Sequence, residues 1–415
     1  MGDLRELDAT DPLADFRRRF VVSDEMIYLD GNSLGRMPVA ARELMDDLVR
    51  RQWPERLVRG WGEGWIDLPR RLGDKIARLV GAPPGSVIVA DSTSVNFFKL
   101  ATAALRARPD RHKIVTESAN FPSDLYLLQG CAELLGGRHR IVRVESPDGI
   151  HLPPEFIEAE LDETTALLTL THTSFKSGYI HDMRRLTEAA HAVGALVLWD
   201  LSHSVGAMPL DLAEPNVDLA VGCCYKYLCG GPGAPAFLYV RKDLQPELTG
   251  PIWGWFGQKN AFEFGLNYSP ADGIERFLAG TPPILSMAAI EPGVDLLLAA
   301  GLDRVRAKSV LQTDALIALW EEHLAPFGVS LNSPRDSALR GSHVSFGHPD
   351  ALRIDRALID QKNVIPDFRR PDNIRFGVAP LYTTFFELEQ AVLRMRDVIE
   401  SKSYLAYPET LPNVT

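Results

Sequence analysis

Cysteine is scarce in this sequence. Only Cys131, Cys223, Cys224 and Cys229 occur, and no two form a C-x-x-C pair. That excludes a disulfide framework and a zinc knuckle. Small buried thiols in a reducing compartment are expected instead. Basic charge is also short, with 44 Lys and Arg against 55 Asp and Glu, a formal net charge of −11. Nucleic acid is therefore not expected as a partner, since binding its phosphates needs a basic face. No apolar run approaches the roughly 18 residues of a membrane span. The opening stretch MGDLRELDATDPLADFRRRF has no apolar signal-peptide core, and Glu6 stands where a myristoylation motif has Ser or Thr. No membrane partner is expected, and the expected location is cytoplasmic. His172 and His203 lack the His-x-x-x-His or carboxylate spacing of a metal site, so no metal is expected. Repeats and low-complexity tracts are missing too, and only the last ten or so residues read as disordered.

What is present is an ordinary globular composition, 46% hydrophobic and 24% charged over 415 residues, enough for two or three domains. From about residue 70 to 240, β-branched apolar runs alternate with helical patterns. SVIVAD, HKIVTES, RIVRVES, ALLTLTHTS, ALVLWD, LAVGCC and PAFLYV read as strands. NFFKLATAALRA and MRRLTEAAHAVG read as helices between them. This alternation predicts an α/β fold with a mostly parallel sheet covered on both faces. Residues 240 to 285 look irregular. The run VDLLLAAGLDRVRAKSVLQTDALIALWEEHL then reads as one long helical pattern leading into a mixed α/β tail. The expected organisation is an arm (1–35) joining a small domain, a large domain (36–285) and a small C-terminal α/β domain (286–415).

In such a sheet, ligands bind beyond the carboxyl ends of the strands. ALVLWDLSH puts Asp200 at one such end, with His203 three residues on. Alone, Asp200 reads as a turn or capping residue. Lys226 in YKYLCGGPGAP follows 26 residues later, at the end of another apolar strand. A surface lysine with a snorkelling stem is the plain alternative, but the flanking CCY and GGPG favour close approach to a ligand. An acid and a lysine on one sheet edge suit pyridoxal phosphate: the lysine bonds its aldehyde carbon and the aspartate keeps its ring nitrogen protonated. ADSTSVNFF turns from strand to helix through Ser92, Thr93 and Ser94. Such residues are most often caps, and they also suit a phosphate. ESANFPSD places Phe121 where a ring can stack; Asp124 there reads as a helix cap. Cys223 and Cys224 are expected to be packed.

These residues carry a resemblance over nearly the whole chain. YLDGNSLG (28–35), FPSD (121–124), DLSHSVG (200–206), GCCYKYLCGG (222–231), GWF (254–256), GTPPI (280–284) and IRFGVAPLY (374–382) resemble kynureninase, a fold type I pyridoxal phosphate hydrolase of the class V aminotransferase superfamily. The resemblance implies a fold with a large cofactor-binding domain and a smaller C-terminal α/β domain. It implies Lys226 as the cofactor-linking lysine, Asp200 as the partner of the ring nitrogen, His203 beside the cofactor, Phe121 stacked on it and Asp124 nearby. Thr93, Ser94, Thr171 and Tyr225 would contact the cofactor, mostly its phosphate, with Tyr225 also catalytic. Trp255 and Thr281 would reach the phosphate of the other subunit in a homodimer. Arg375 would grip the substrate carboxylate, and Ser33, Trp61 and Gly280 would line the substrate pocket.

The implied reaction is hydrolysis of L-kynurenine to anthranilate and L-alanine. Cys224 stands where many relatives have Ser, Thr281 where animal members have Asn, Gly280 where they have Ser, and Trp61 where they have His. The resulting apolar pocket implies a preference over 3-hydroxykynurenine of about 1–3 kcal/mol. A cysteine desulfurase is the nearest rival, but no cysteine follows Cys229. An aminotransferase and a non-catalytic cofactor-binding protein are the other readings.

Overall fold

The computed structural model describes residues 4–410. An N-terminal arm carries the short strand β1 (Ile27–Tyr28). Seven strands then build the main sheet: β2 (Val87–Ala90), β3 (Lys113–Glu117), β4 (Arg140–Val144), β5 (Thr165–Thr171), β6 (Leu196–Asp200), β7 (Leu219–Gly222) and β8 (Ala236–Val240). They match the seven runs read from sequence. Their spatial order is β2-β8-β7-β6-β5-β3-β4. The five strands from β7 to β4 are parallel. β8 alone is reversed, antiparallel to β2 and β7. The loop between β7 and β8 carries no helix, whereas a parallel return needs a crossover of about a dozen residues or more, usually helical. β3 and β5 to β8 are buried along their length, while β4, at the sheet edge, is partly exposed. Continuous apolar runs are what a sheet covered on both faces requires.

The parallel strands bring their carboxyl ends to one edge. There β2 passes through Asp91, whose φ is +47°, into the helix Thr93–Ala107. Ser92 caps that helix, its Oγ accepting the Val95 N–H at 3.3 Å. β3 leads through Phe121 into the helix Pro122–Leu134, which Pro122 opens without losing a needed N–H. β5 ends at Thr171 and β6 at Asp200.

A second sheet follows, of β9 (Ser330–Leu331), β10 (His343–Gly347), β12 (Asp367–Arg369) and β13 (Asn373–Gly377), in the order β12-β13-β10-β9 and antiparallel throughout. Between them β11 (Val364–Ile365) pairs in parallel with β1. Val344, Phe346, Ile374 and Phe376 pack with Leu358, Leu388 and Val392 of the flanking helices. The arm joins this second core through Leu4, Ile27 and Leu29. Asp8 accepts the N–H groups of Phe385 and Phe386 at 2.8 and 2.9 Å, beside the Thr384–Glu387 capping box of the helix Phe385–Ser401.

Two expectations need correction. The long helical pattern is two helices, Ile290–Ala300 and Leu302–His323, and the segment Ile284–Ala300 meets the second at 84°. Gly301 turns the chain there with φ +79°, a conformation that glycine adopts without a Cβ clash. Met287, Ile290, Val294, Leu297 and Val305 still pack with the main core, whereas Ala315 and later residues join the second. We therefore place the division within Leu302–His323 rather than at 286. The first part of the tail, up to Thr410, is held by side chains of the helix Ala351–Lys362. Arg353 donates to the carbonyls of Leu405 and Tyr407, and Arg356 to those of Pro408 and Thr410. Residues 411–415 of that stretch lie outside the described residues. Among the described residues no single helix is long and apolar enough to cross a membrane; the bent pair passes by length and composition only, and much of it is packed in the two cores.

Candidate active site

The β7–β8 loop carries Lys226 into a cleft at the carboxyl edge of the sheet. Thr93, Ser94, Phe121, Asp124, Thr171, Asp200, His203, Tyr225 and Lys226, all singled out from sequence, line it together. Lys226 Nζ lies 3.0 Å from His203 Nε2 and 5.9 Å from the centre of the Phe121 ring. Burial and the Lys226 charge push the His203 imidazole well below its usual range. A neutral ring can accept the lysine N–H at Nε2. His203 Nδ1 is buried without a partner.

Asp200 is buried at the end of β6, its Oδ1 accepting the Ser202 N–H at 2.7 Å. Asp124 faces it from the first turn of the helix Pro122–Leu134. Burial, and then the Asp200 charge, raise the Asp124 carboxyl well above the usual carboxylate range. It therefore keeps its proton, and its Oδ2 has no hydrogen-bond partner. A buried charge next to a neutral acid suits a cationic ring nitrogen.

At the other end of the cleft is a hydroxyl cluster. Ser94 Oγ is 3.0 Å from Ser123 Oγ, and Thr93 Oγ1 is 3.1 Å from Cys223 Sγ. The cluster sits at the N-terminus of a 15-residue helix, where free N–H groups and the helix dipole favour an anion. Thr171 donates to Asn120 Oδ1. Burial raises the Tyr225 phenol above its usual range, so it stays protonated. Phe121 meets Phe175 edge to face at 5.3 Å, leaving its own face to the cleft side of Lys226. An amine, a carboxylate pair, an aromatic face and a hydroxyl-lined helix end fit pyridoxal phosphate; Asp124 Oδ2, orphaned and buried, is the observation that tests this.

Arg375 and Ser33 meet beside this cleft. Arg375 donates from Nε to Asp367 Oδ1 at 2.6 Å, from Nη2 to Asp367 Oδ2 and to Ser33 Oγ (3.1 Å), and from Nη1 to the Phe175 carbonyl. Asp367 had no signal in the sequence, nor did Phe175. Ser123, Ser202 and Cys223 also line the cleft. Ser123 and Ser202 could have been found, because each adjoins a residue already marked in FPSD and DLSH.

Four residues lie elsewhere. Trp61 packs against Trp65 and Phe256 at 5.7 and 6.3 Å. Trp255 contacts Phe256 at 4.4 Å and is 39% exposed. Gly280 and Thr281 are exposed and line a separate cavity behind Ala90 and Asp91. Within one chain these four do not line the Lys226 cleft.

The main sheet, its crossover helices and the lysine on the β7–β8 loop define the class, that of fold type I pyridoxal phosphate enzymes. Among solved structures, an apo cysteine desulfurase from Thermococcus onnurineus NA1 superposes with a TM-score of 0.81 at 21% identity, covering 93% of this chain and 98% of that one. The cysteine desulfurase CsdA from Escherichia coli gives 0.79 at 18% identity, covering 94% and 98%. At such identities the likeness is one of fold. Sequence is more specific. Residues 305–395 match the Kynureninase C-terminal domain family. A Kynureninase from Pseudomonas fluorescens is 44% identical over 97% of this chain and 96% of its own. One from Burkholderia pseudomallei (strain 1106a) is 42% identical over 96% and 95%. The chain belongs to the kynureninase family.

Proposed function

We propose that this protein hydrolyses the Cβ–Cγ bond of L-kynurenine, giving anthranilate and L-alanine, with pyridoxal phosphate as cofactor. The observation that carries the reading is the convergence of Lys226, Asp200, Asp124 and His203 in one cleft of a kynureninase-family chain. When bound, pyridoxal phosphate supplies an electron sink for charge that develops at the substrate Cα.

Asp200, with neutral Asp124 beside it, holds the ring nitrogen protonated. Phe121 packs on the ring, and Thr93, Ser94 and Thr171 hold the phosphate end. Lys226 would hold the cofactor at its aldehyde carbon, and its Nζ would take the proton from the substrate Cα. His203, neutral, accepts a Lys226 N–H and keeps the amine in place. Tyr225 would deliver its phenolic proton at the γ-carbonyl oxygen as water adds, and take back the proton that the water loses. Arg375 receives the α-carboxylate, with Ser33 beside it.

Trp61, Trp255, Gly280 and Thr281 are assigned to the site of a second subunit. Trp255, with Phe262 and Phe264 next to it at 60% and 71% exposure, forms an aromatic face of the kind that dimer interfaces bury. With those residues the pocket is apolar, and 3-hydroxykynurenine should be the poorer substrate by about 1–3 kcal/mol.

The test is direct. Holoenzyme mixed with L-kynurenine should release fluorescent anthranilate and an equal amount of L-alanine. Failure to do so, together with sulfide release from L-cysteine, would replace this reading with desulfurase activity, despite the lack of a cysteine after Cys229.

A further inference from the structure

Arg375 is already engaged on one edge. β12 and β13 place Asp367 directly opposite Arg375 in the antiparallel register. Asp367 takes the Nε and Nη2 hydrogens side-on. A guanidinium offers five N–H donors in a planar fork, and this grip uses two of them. The rest serve the end-on edge formed by Nη1 and Nη2. That edge meets the Phe175 carbonyl and Ser33 Oγ. Phe175 also lines the Lys226 cleft, so the end-on edge is separated from the cleft by one residue, and Arg375 itself does not line it.

The grip has an electrostatic cost. One carboxylate on one guanidinium leaves a neutral pair, a poor attractor for a second carboxylate. Arg369 offsets this: its Nη2 lies 2.6 Å from Asp367 Oδ2, so the three groups together carry one positive charge. Arg375 and Asp367 are 1% and 4% exposed. In such a buried setting salt and water screen little of that charge. Two further acids stand near. Burial and the Asp367 charge push Asp30 up to about 7 and Asp355 up to about 8. Asp355 therefore keeps its proton at neutral pH and Asp30 does so in part, so neither fully cancels Arg369.

We propose that Asp367 and Arg369 are positioning residues for the substrate carboxylate. Asp367 locks Arg375 side-on so that its end-on edge, held here by the Phe175 carbonyl and Ser33 Oγ, meets the carboxylate when the substrate displaces those contacts, and Arg369 restores the positive charge that Asp367 removes. This rests on the reading above that Arg375 receives the carboxylate.

The measurement is a comparison of ligands with and without that charge. The visible band of the holoenzyme is titrated with L-alanine and with L-alaninamide, in wild type, Arg369→Gln, Arg369→Lys and Asp367→Ala. Removing one partner of a buried charge network typically weakens binding by on the order of tenfold or more. The acid-to-amide preference should therefore fall by at least roughly tenfold in R369Q, which leaves the site neutral, and R369K should recover part of it; in D367A the loss of the side-on grip should lower it by a similar factor although the net charge rises. With L-kynurenine, R369Q should raise KM more than it lowers kcat. A purely structural role would weaken acid and amide alike. An acid-to-amide preference in R369Q and D367A equal to that of wild type overturns the proposal. If one variant loses its visible band, the other decides. The titration needs no turnover, so a wild type that releases no anthranilate fails the proposed function and leaves this comparison readable.

Discussion

Lys226 stands 3.0 Å from a histidine whose burial keeps it neutral, and that one distance sets much of the residue-scale chemistry. A neutral acceptor orients the amine without competing with it as a cation. Lys226→Ala should leave a folded protein without the visible cofactor band, read by absorbance beside circular dichroism; a retained band contradicts the assignment. Tyr225 poses a different question. Burial holds its proton, the protonation state that the donor role proposed for it requires. Tyr225→Phe should lower kcat for L-kynurenine by roughly a hundredfold or more, within the span typical of general acids. Cofactor affinity, read by equilibrium titration, should change far less. Equal turnover in the variant would remove Tyr225 from the proton path.

At the scale of elements, the site depends on loops that touch rather than on any one strand. The arm loop passes so close to the β7–β8 loop that Gly35 N–H donates to the Tyr225 carbonyl at 2.8 Å. A Cβ on Gly35 would stand 2.3 Å from the Lys226 carbonyl oxygen and 2.6 Å from Cys229 Sγ. That approach is what glycine permits here, and it joins the arm to the loop that carries Lys226. Gly35→Ala must push the two loops apart. The expected cost is about 1–3 kcal/mol of stability, as for overpacking elsewhere. Thermal denaturation reads the cost, and a weaker cofactor titration reads the displaced lysine. If both are unchanged, the contact does not position the loop.

Taken as a whole, the molecule buries ionisable groups around its second sheet, and this gives its stability a pH dependence. Asp355 is raised to about 8 by burial, then by the charges of Asp367 and Asp30. Its unfolded value is about 3.9. Between the two values the folded chain holds a proton that the unfolded chain has lost. The stabilising contribution is therefore complete below the lower value and disappears as pH rises through the upper one. The stability of wild type relative to Asp355→Asn should fall between pH 6 and 9, measured as the difference in melting temperature. A constant difference would show that Asp355 does not titrate there. The assembly makes its own prediction. If Trp255 serves the neighbouring site, inactive Lys226→Ala and impaired Trp255→Ala chains should regain activity when mixed and allowed to exchange subunits. Activity that stays at the sum of the separate chains would place Trp255 in its own subunit's site or in neither.

Much of this was legible from short windows of sequence. Six of the seven strands of the main sheet lie in apolar runs because a strand buried on both faces must be apolar along its length, while the edge strand β4 carries Arg140 and Arg143 among its apolar residues. Lys226, Asp200 and Thr93 could be placed at one edge because parallel strands end together and turn residues follow them. The Gly301 bend was missed because the apolar pattern continues across it, and a glycine inside a helical run does not by itself show that the chain turns there. Asp367 was missed for a different reason. It acquires its role only when the β12–β13 register sets it opposite Arg375 and packing brings in Ser33, more than three hundred residues away in the chain. Trp61 and Gly280 were named for the substrate pocket, but their absence from the Lys226 cleft of their own chain was not foreseen. Side-chain type, hydrophobic period and turn chemistry act over a few residues, so sequence alone determined the sheet, the cofactor chemistry and the family. Which charges share a buried pocket depends on contacts between remote segments, so tertiary structure alone decided how Arg375 is held.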